Sequence, residues 1–123
     1  MYKIFLAIGS ISAALAVALG AFGAHGLEGK LTERYMEIYQ TGVQYHMIHS
    51  LGLILVGIIS AKILNSKLIN VAGWCLFGGI IIFSGSLYIL SMTGFTMLGM
   101  ITPIGGVLFV AGWFLVAIAA MKA

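Results

Sequence analysis

The sequence predicts an all-α integral membrane protein, a four-helix transmembrane bundle, and three observations carry that prediction. Only 7% of the 123 residues are charged and 62% are hydrophobic, whereas a soluble domain carries roughly a quarter charged residues. So few charges cannot cover a globular core with a hydrated surface. Four apolar runs, about 4–24, 41–61, 71–92 and 103–121, each reach the length of roughly 20 residues that a helix needs to cross a hydrocarbon layer of about 30 Å. Polar connections separate the first three runs, and the longest of these, 25–40, holds all three carboxylates of the chain. The whole of 1–123 reads as one transmembrane domain.

The first run carries Lys3 ahead of it and small residues, "ALGAFGA", near its end, which gives it the look of a signal peptide. It is as long as the other spans and is expected to be a retained helix. The second span is expected to be the inner part of a longer helix that begins outside the membrane at "LTERYMEIYQ". Thr32 can cap that helix, and Glu33 suits the positive end of its dipole. Glu33, Glu37, Gln40 and Gln44 form one polar stripe at helical spacing. Tyr35 and Tyr39 lie opposite and are expected at headgroup level, where aromatic belts form. In the fourth span, proline suits the first helical position and Thr102 can cap it. The residue before a proline is pushed away from the α region, so a helix start at Pro103 is preferred over a kink in a longer helix from Thr96.

Orientation follows the cations. With alternating spans, Lys3, Lys62, Lys67 and Lys122 share one side, and Lys30 and Arg34 share the other. The positive-inside rule counts lysine and arginine and ignores carboxylates, so both termini are expected in the cytoplasm. The net charge of +3 does not indicate nucleic acid, because the cations are scattered singly. The single cysteine, Cys75, forms no CxxC motif and reads as a small packing residue.

Lipid offers no hydrophobic drive for helix association, so close packing of small residues has to supply it. Gly9, Ala13, Ala16, Gly20 and Gly23 form one stripe on the first span. "GGIIIFSG" at Gly78–Gly85 and "GGVLFVAG" at Gly105–Gly112 share a glycine spacing, read as independent packing seams rather than an internal repeat. Spare small-residue faces point to a homo-oligomer in membrane lipid.

The chemistry-bearing residues gather toward the outer side. On the second helix Gly42, His46, His49, Ser50, Leu53, Gly57 and Ser60 fall in one stripe, so both histidines are expected to face protein, roughly 7 and 12 Å below the membrane entry. His25, Gln44, Ser84, Ser86, Tyr88 and Thr102 complete the expected polar cluster, while Ser10, Ser12, Ser60 and Cys75 are left on the cytoplasmic side. Three readings compete. The leading one is structural, with His, Gln, Ser, Tyr and Thr hydrogen-bonding across helices. The second is an outward-open site for an ion or small solute, against which stands the lack of any carboxylate within a span. The third is a metal, haem or quinone site through His25, His46 and His49, weakened by the missing acidic ligand. The serines have no GxSxG context and the chain has no aspartate, so no catalytic residue, no enzyme activity and no cofactor are expected.

Four ordered motifs, "GAFGAHGL" at 20–27, "TGVQYHMIHSL" at 41–51, "FSGSLY" at 83–88 and "TPIGG" with "AGW" within 102–113, together resemble a known family. It is an uncharacterised, domain-of-unknown-function family of small bacterial inner-membrane proteins with small eukaryotic transmembrane relatives. The resemblance spans essentially the whole chain and implies a four-helix plasma-membrane protein. It implies no activity, substrate or catalytic residue.

Overall fold

A computed structural model describes residues 2–62 and 66–122. Four helical rods, each long and apolar enough to cross a membrane, make up the fold. The first is α1 (Tyr2–His25) and the second α2 (Glu33–Lys62). The third is built from α3 (Lys67–Gly79), a π-helical turn (Ile80–Ser84) and α4 (Gly85–Thr93). A 3₁₀ turn (Thr96–Met100) then leads into α5 (Thr102–Lys122).

The boundaries have local causes. The Thr32 hydroxyl accepts the Tyr35 N–H at 3.2 Å, so α2 starts where the cap was expected and runs well ahead of the span. Ser66 caps α3 by accepting the Ile69 N–H at 3.3 Å. Gly94 closes α4 in the left-handed region at φ 74°, its N–H bonded to Leu90 C=O, a conformation in which a Cβ would be strained. The fourth helix does begin at Thr102–Pro103, but Thr102 does not cap it. Its hydroxyl turns back to Leu98 C=O and to Ser86, and the 3₁₀ turn takes the place of a free end.

The rods alternate in direction. A Cβ at Gly9 would stand 2.9 Å from Ser50 C=O, one at Gly57 would stand 3.1 Å from Tyr2 C=O, and one at Gly23 would strike the Tyr39 ring, so α1 lies antiparallel to α2. Gly52 meets Leu76 and Gly42 meets Tyr88; Gly112 meets Leu76 and Gly105 meets Phe83. The third rod therefore runs antiparallel to both α2 and α5. Lys3, Lys62, Lys67 and Lys122 thus fall at one end, with Lys30 and Arg34 at the other. The second and third rods bury a larger share of their residues than α1 and α5, because they form the middle of the bundle. One apolar core, around Phe5, Leu53, Leu76 and Phe109, fills the lysine-rich end and centre; a smaller one, Leu27, Tyr39 and Tyr88, fills the opposite end.

Two packing expectations, the Gly78–Gly85 seam and Tyr39 in the aromatic belt, need correction. The third rod is not a continuous α-helix, since the π turn inserts one residue into it. That insertion destroys the phase between Gly78 and Gly85, so these two do not form one seam. Gly78 makes only a 3.4 Å approach to Leu108, and a Cβ at Gly85 would meet nothing within 4 Å. Gly79, against Phe109 and Gly105 C=O, is the tight position instead. Tyr39 is not a belt residue: it is fully buried, donating its hydroxyl to Leu19 C=O. On α1 the seam holds as expected at Gly9, Ala16 and Gly23, with Ala13 and Gly20 half-buried beside it.

A buried polar chain and an aromatic cleft

The α2 stripe faces protein as its spacing requires. Gly42, His46, His49, Ser50, Leu53, Gly57 and Ser60 are all buried, and Leu51, Leu55 and Ile58 are exposed. The two histidines, each 5% exposed, nevertheless enter different surroundings, because a step of three residues rotates the second by about 60° and seats it against a different helix. His46 faces α1 and α4. His49 faces α5.

Four hydrogen bonds surround His46. Its Nδ1 lies 2.8 Å from the Tyr88 hydroxyl and its Nε2 lies 2.9 Å from Ser12 Oγ. Ser12 Oγ lies 2.6 Å from Ser50 Oγ, and Ser50 Oγ lies 2.7 Å from His46 C=O. The available protons fix every direction. A carbonyl only accepts, so Ser50 donates to His46 C=O and has no proton left for Ser12. Ser12 is then the donor to Ser50, which leaves its oxygen to accept from His46 Nε2–H. A neutral imidazole protonated at Nε2 has a bare Nδ1, and Tyr88 donates to it. The chain Tyr88 → His46 → Ser12 → Ser50 → His46 C=O is closed, each member using each of its protons once.

Beside this chain Ser84, also buried, donates to Gly42 C=O at 2.9 Å. Ser86 bridges Phe83 C=O at 2.9 Å and the Thr102 hydroxyl at 2.6 Å, tying α4 to the start of α5. The π turn has a consequence here. The residue it inserts rephases α4 against α3, so that Ser84, Tyr88 and Ser91 all turn inward; π turns recur at functional sites.

His49 is held differently. Tyr45 C=O lies 2.8 Å from its Nδ1 and can only accept, so the proton is on Nδ1 and Nε2 is a bare acceptor. The ring stacks on Phe109 with centroids 3.5 Å apart and planes at 10°. Trp113 and Tyr45 lie 5.8 and 6.0 Å away. The opposite tautomers of His46 and His49 follow from what each Nδ1 faces, a hydroxyl or a carbonyl.

Not every expected member of the cluster belongs to it. His25, at the end of α1, is exposed, because the α1 seam passes through Gly23 and leaves position 25 facing away. Gln44 is exposed too, lining an open polar groove with Glu33, Glu37 and Gln40. Ser12 is the member that sequence reasoning missed: counted with the cytoplasmic half, it stands midway along α1 at the level of His46. Its spacing from Phe5, Gly9, Ala16 and Gly23, all buried, is the signal that could have found it. With His25 apart, no three His, Cys, Asp or Glu side chains among the described residues come together as a metal site would require.

Comparison with known proteins is consistent along the chain. The family described as "Protein of unknown function (DUF423)" matches residues 19–106. The UPF0382 membrane protein YwdK of Bacillus subtilis is 52% identical over 120 residues, covering 98% of each chain. The UPF0382 membrane protein SERP0230 of Staphylococcus epidermidis is 52% identical over 98% of this chain and 97% of its own. No solved structure matches. The matched span runs from the end of α1 into the start of α5 and takes in all three histidines and the π turn, and the chain is a multi-pass membrane protein that belongs to the DUF423 family.

Proposed function

We propose that the protein is a structural or accessory component of the bacterial plasma (inner) membrane, without enzymatic activity, with both termini in the cytoplasm and with the polar chain serving to lock the bundle. The observation that carries this reading is the closure of that chain. A proton relay needs an exchangeable group at each end, whereas this chain of Tyr88, His46, Ser12 and Ser50 turns back onto the His46 carbonyl, which only accepts, and every proton in it is engaged. The lack of enzymatic activity is supported by the absence of aspartate from the chain and by the position of Glu28, Glu33 and Glu37, which are exposed, outside the His46 chain. Cytoplasmic termini are supported by the four lysines at one end of the bundle. Assembly into a homo-oligomer is supported by Ala7, Ser10, Ala14, Ala18 and Ala21, all exposed on α1 at helical spacing, a face on which a second helix could approach closely.

The test is solvent access at Ser12. In a Cys75→Ser background, Ser12→Cys is treated in liposomes with a membrane-impermeant thiol reagent, and Lys30→Cys serves as the positive control. The dry chain gives labelling at position 30 and none at position 12. Labelling at position 12 from either side would replace the structural reading with a wet pathway.

A further inference from the structure

His49 leaves one strong acceptor unused. Its Nδ1 is tied to Tyr45 C=O, yet Nε2 has no hydrogen-bond partner among the described residues. It is not sealed in either, since Asn70 Oδ1 is the one enclosed side-chain polar atom left unpaired among those residues. The ring is nine-tenths buried and lines a cleft of about 580 Å³ between α2 and α5, walled by Tyr45, Phe83, Phe109 and Trp113 with Gly106 at its edge. Val107 and Val110, on the same cleft, are more than half exposed on a helix apolar enough to cross a membrane, so in a bilayer this opening would face acyl chains, with Pro103 at its outer end.

An unpaired nitrogen in a dry apolar cleft costs free energy unless a donor reaches it. That donor has to come from the hydrocarbon layer. It also has to suit the rings beside it: Tyr45 and Phe109 lie 19° apart in plane, and His49 is already stacked on Phe109 with centroids 3.5 Å apart, so a flat head lies against the outside of this set and not between its rings. We infer that the α2–α5 cleft binds a membrane-dissolved molecule with a planar aromatic head bearing a hydroxyl, of the phenol or hydroquinone class on an apolar tail, which donates that hydroxyl to His49 Nε2. Flat heads stack on the aromatic walls, the volume falls in the range of small-molecule sites, and a ligand with only carbonyl oxygens finds no donor at this nitrogen. This site is independent of the closed His46 chain, so it stands or falls apart from the structural reading above.

The experiment uses the full chain in lipid nanodiscs with a naphthol carrying a ten-carbon chain, and its methyl ether as the matched non-donor. The naphthol binds saturably at one per chain, and its fluorescence shifts as the O–H bonds to the ring nitrogen. The ether binds at least about tenfold more weakly. His49→Phe keeps the stack on Phe109 and reduces naphthol affinity to that of the ether. Gly106→Leu, where a Cβ meets Phe83 at an ordinary 3.8 Å, fills the cleft and removes binding of both probes with the bundle intact. Equal binding of naphthol and ether, no binding of the naphthol, or an unchanged naphthol affinity in His49→Phe would each overturn the assignment. So would a Soret band on haem titration that His49→Phe abolishes, because Nε2 would then be a metal ligand.

Discussion

Ser12→Ala isolates the closed chain better than any other single change. The substitution removes one oxygen and keeps the Cβ, so α1 still seats against α2 and no cavity larger than a hydroxyl forms. It deletes two hydrogen bonds, those to Ser50 at 2.6 Å and to His46 Nε2 at 2.9 Å. At the ~0.6 kcal/mol average for interhelical hydrogen bonds in membranes, the two amount to about 1.2 kcal/mol. The stranded Nε2–H adds to this, since a buried unsatisfied donor costs about 1–3 kcal/mol. Part of that is recovered if the imidazole changes tautomer and gives its proton to Tyr88. The expected loss is therefore about 2 kcal/mol. Reversible unfolding in mixed detergent micelles measures it, with Ser10→Ala as the control, because Ser10 is exposed two residues away and its loss should stay within about 0.5 kcal/mol. Equal stabilities of the two variants would refute the reasoning, since both delete the same atom and differ only in the chain. Combining Ser12→Ala with Tyr88→Phe should give a non-additive result, as both act through one imidazole.

The glycine geometry separates two residues that look alike in sequence. Gly85→Ala, with open space at its Cβ, should stabilise α4 by about 0.5–1 kcal/mol through helix propensity, whereas Gly105→Ala, whose Cβ would collide with Phe83 backbone, should destabilise the bundle in the same unfolding assay. His49→Ala should lower thermal stability in detergent more than Ser60→Ala, because it deletes the stack on Phe109, whereas Ser60 makes no side-chain hydrogen bond among the described residues. Reporter fusions that are active only in the cytoplasm should be active at both termini, and opposite outcomes at the two ends would contradict the lysine argument.

The fold was legible because composition alone forbids a soluble chain, and the apolar runs are long enough to count. The buried face of α2 was legible for a related reason: small and polar residues recur there at helical period, and every member expected to be buried is. Tyr39 was misplaced because an aromatic near a span end reads equally well as belt or core, and its position against Gly23 is a tertiary fact. The π turn left no trace in a run of isoleucines whose hydropathy is the same in either geometry. Ser12 is hard to see because its position along the span suggests the cytoplasmic half, whereas the seam of α1 brings the middle of that helix to His46. Depth alone groups His25 and Gln44 with the cluster and says nothing about the direction a side chain faces. The tautomers needed the identity of each ring's neighbours, which only the packed bundle supplies.

The measurement that bears most directly on all this is ¹⁵N NMR of histidine-labelled protein in lipid, with His46 and His49 assigned by single substitutions. The closed chain requires a neutral His46 with its proton on Nε2, and the Tyr45 carbonyl requires a neutral His49 with its proton on Nδ1. An imidazolium at His46, or the same tautomer at both rings, would mean that the chain of donors is open and the lock described here does not exist.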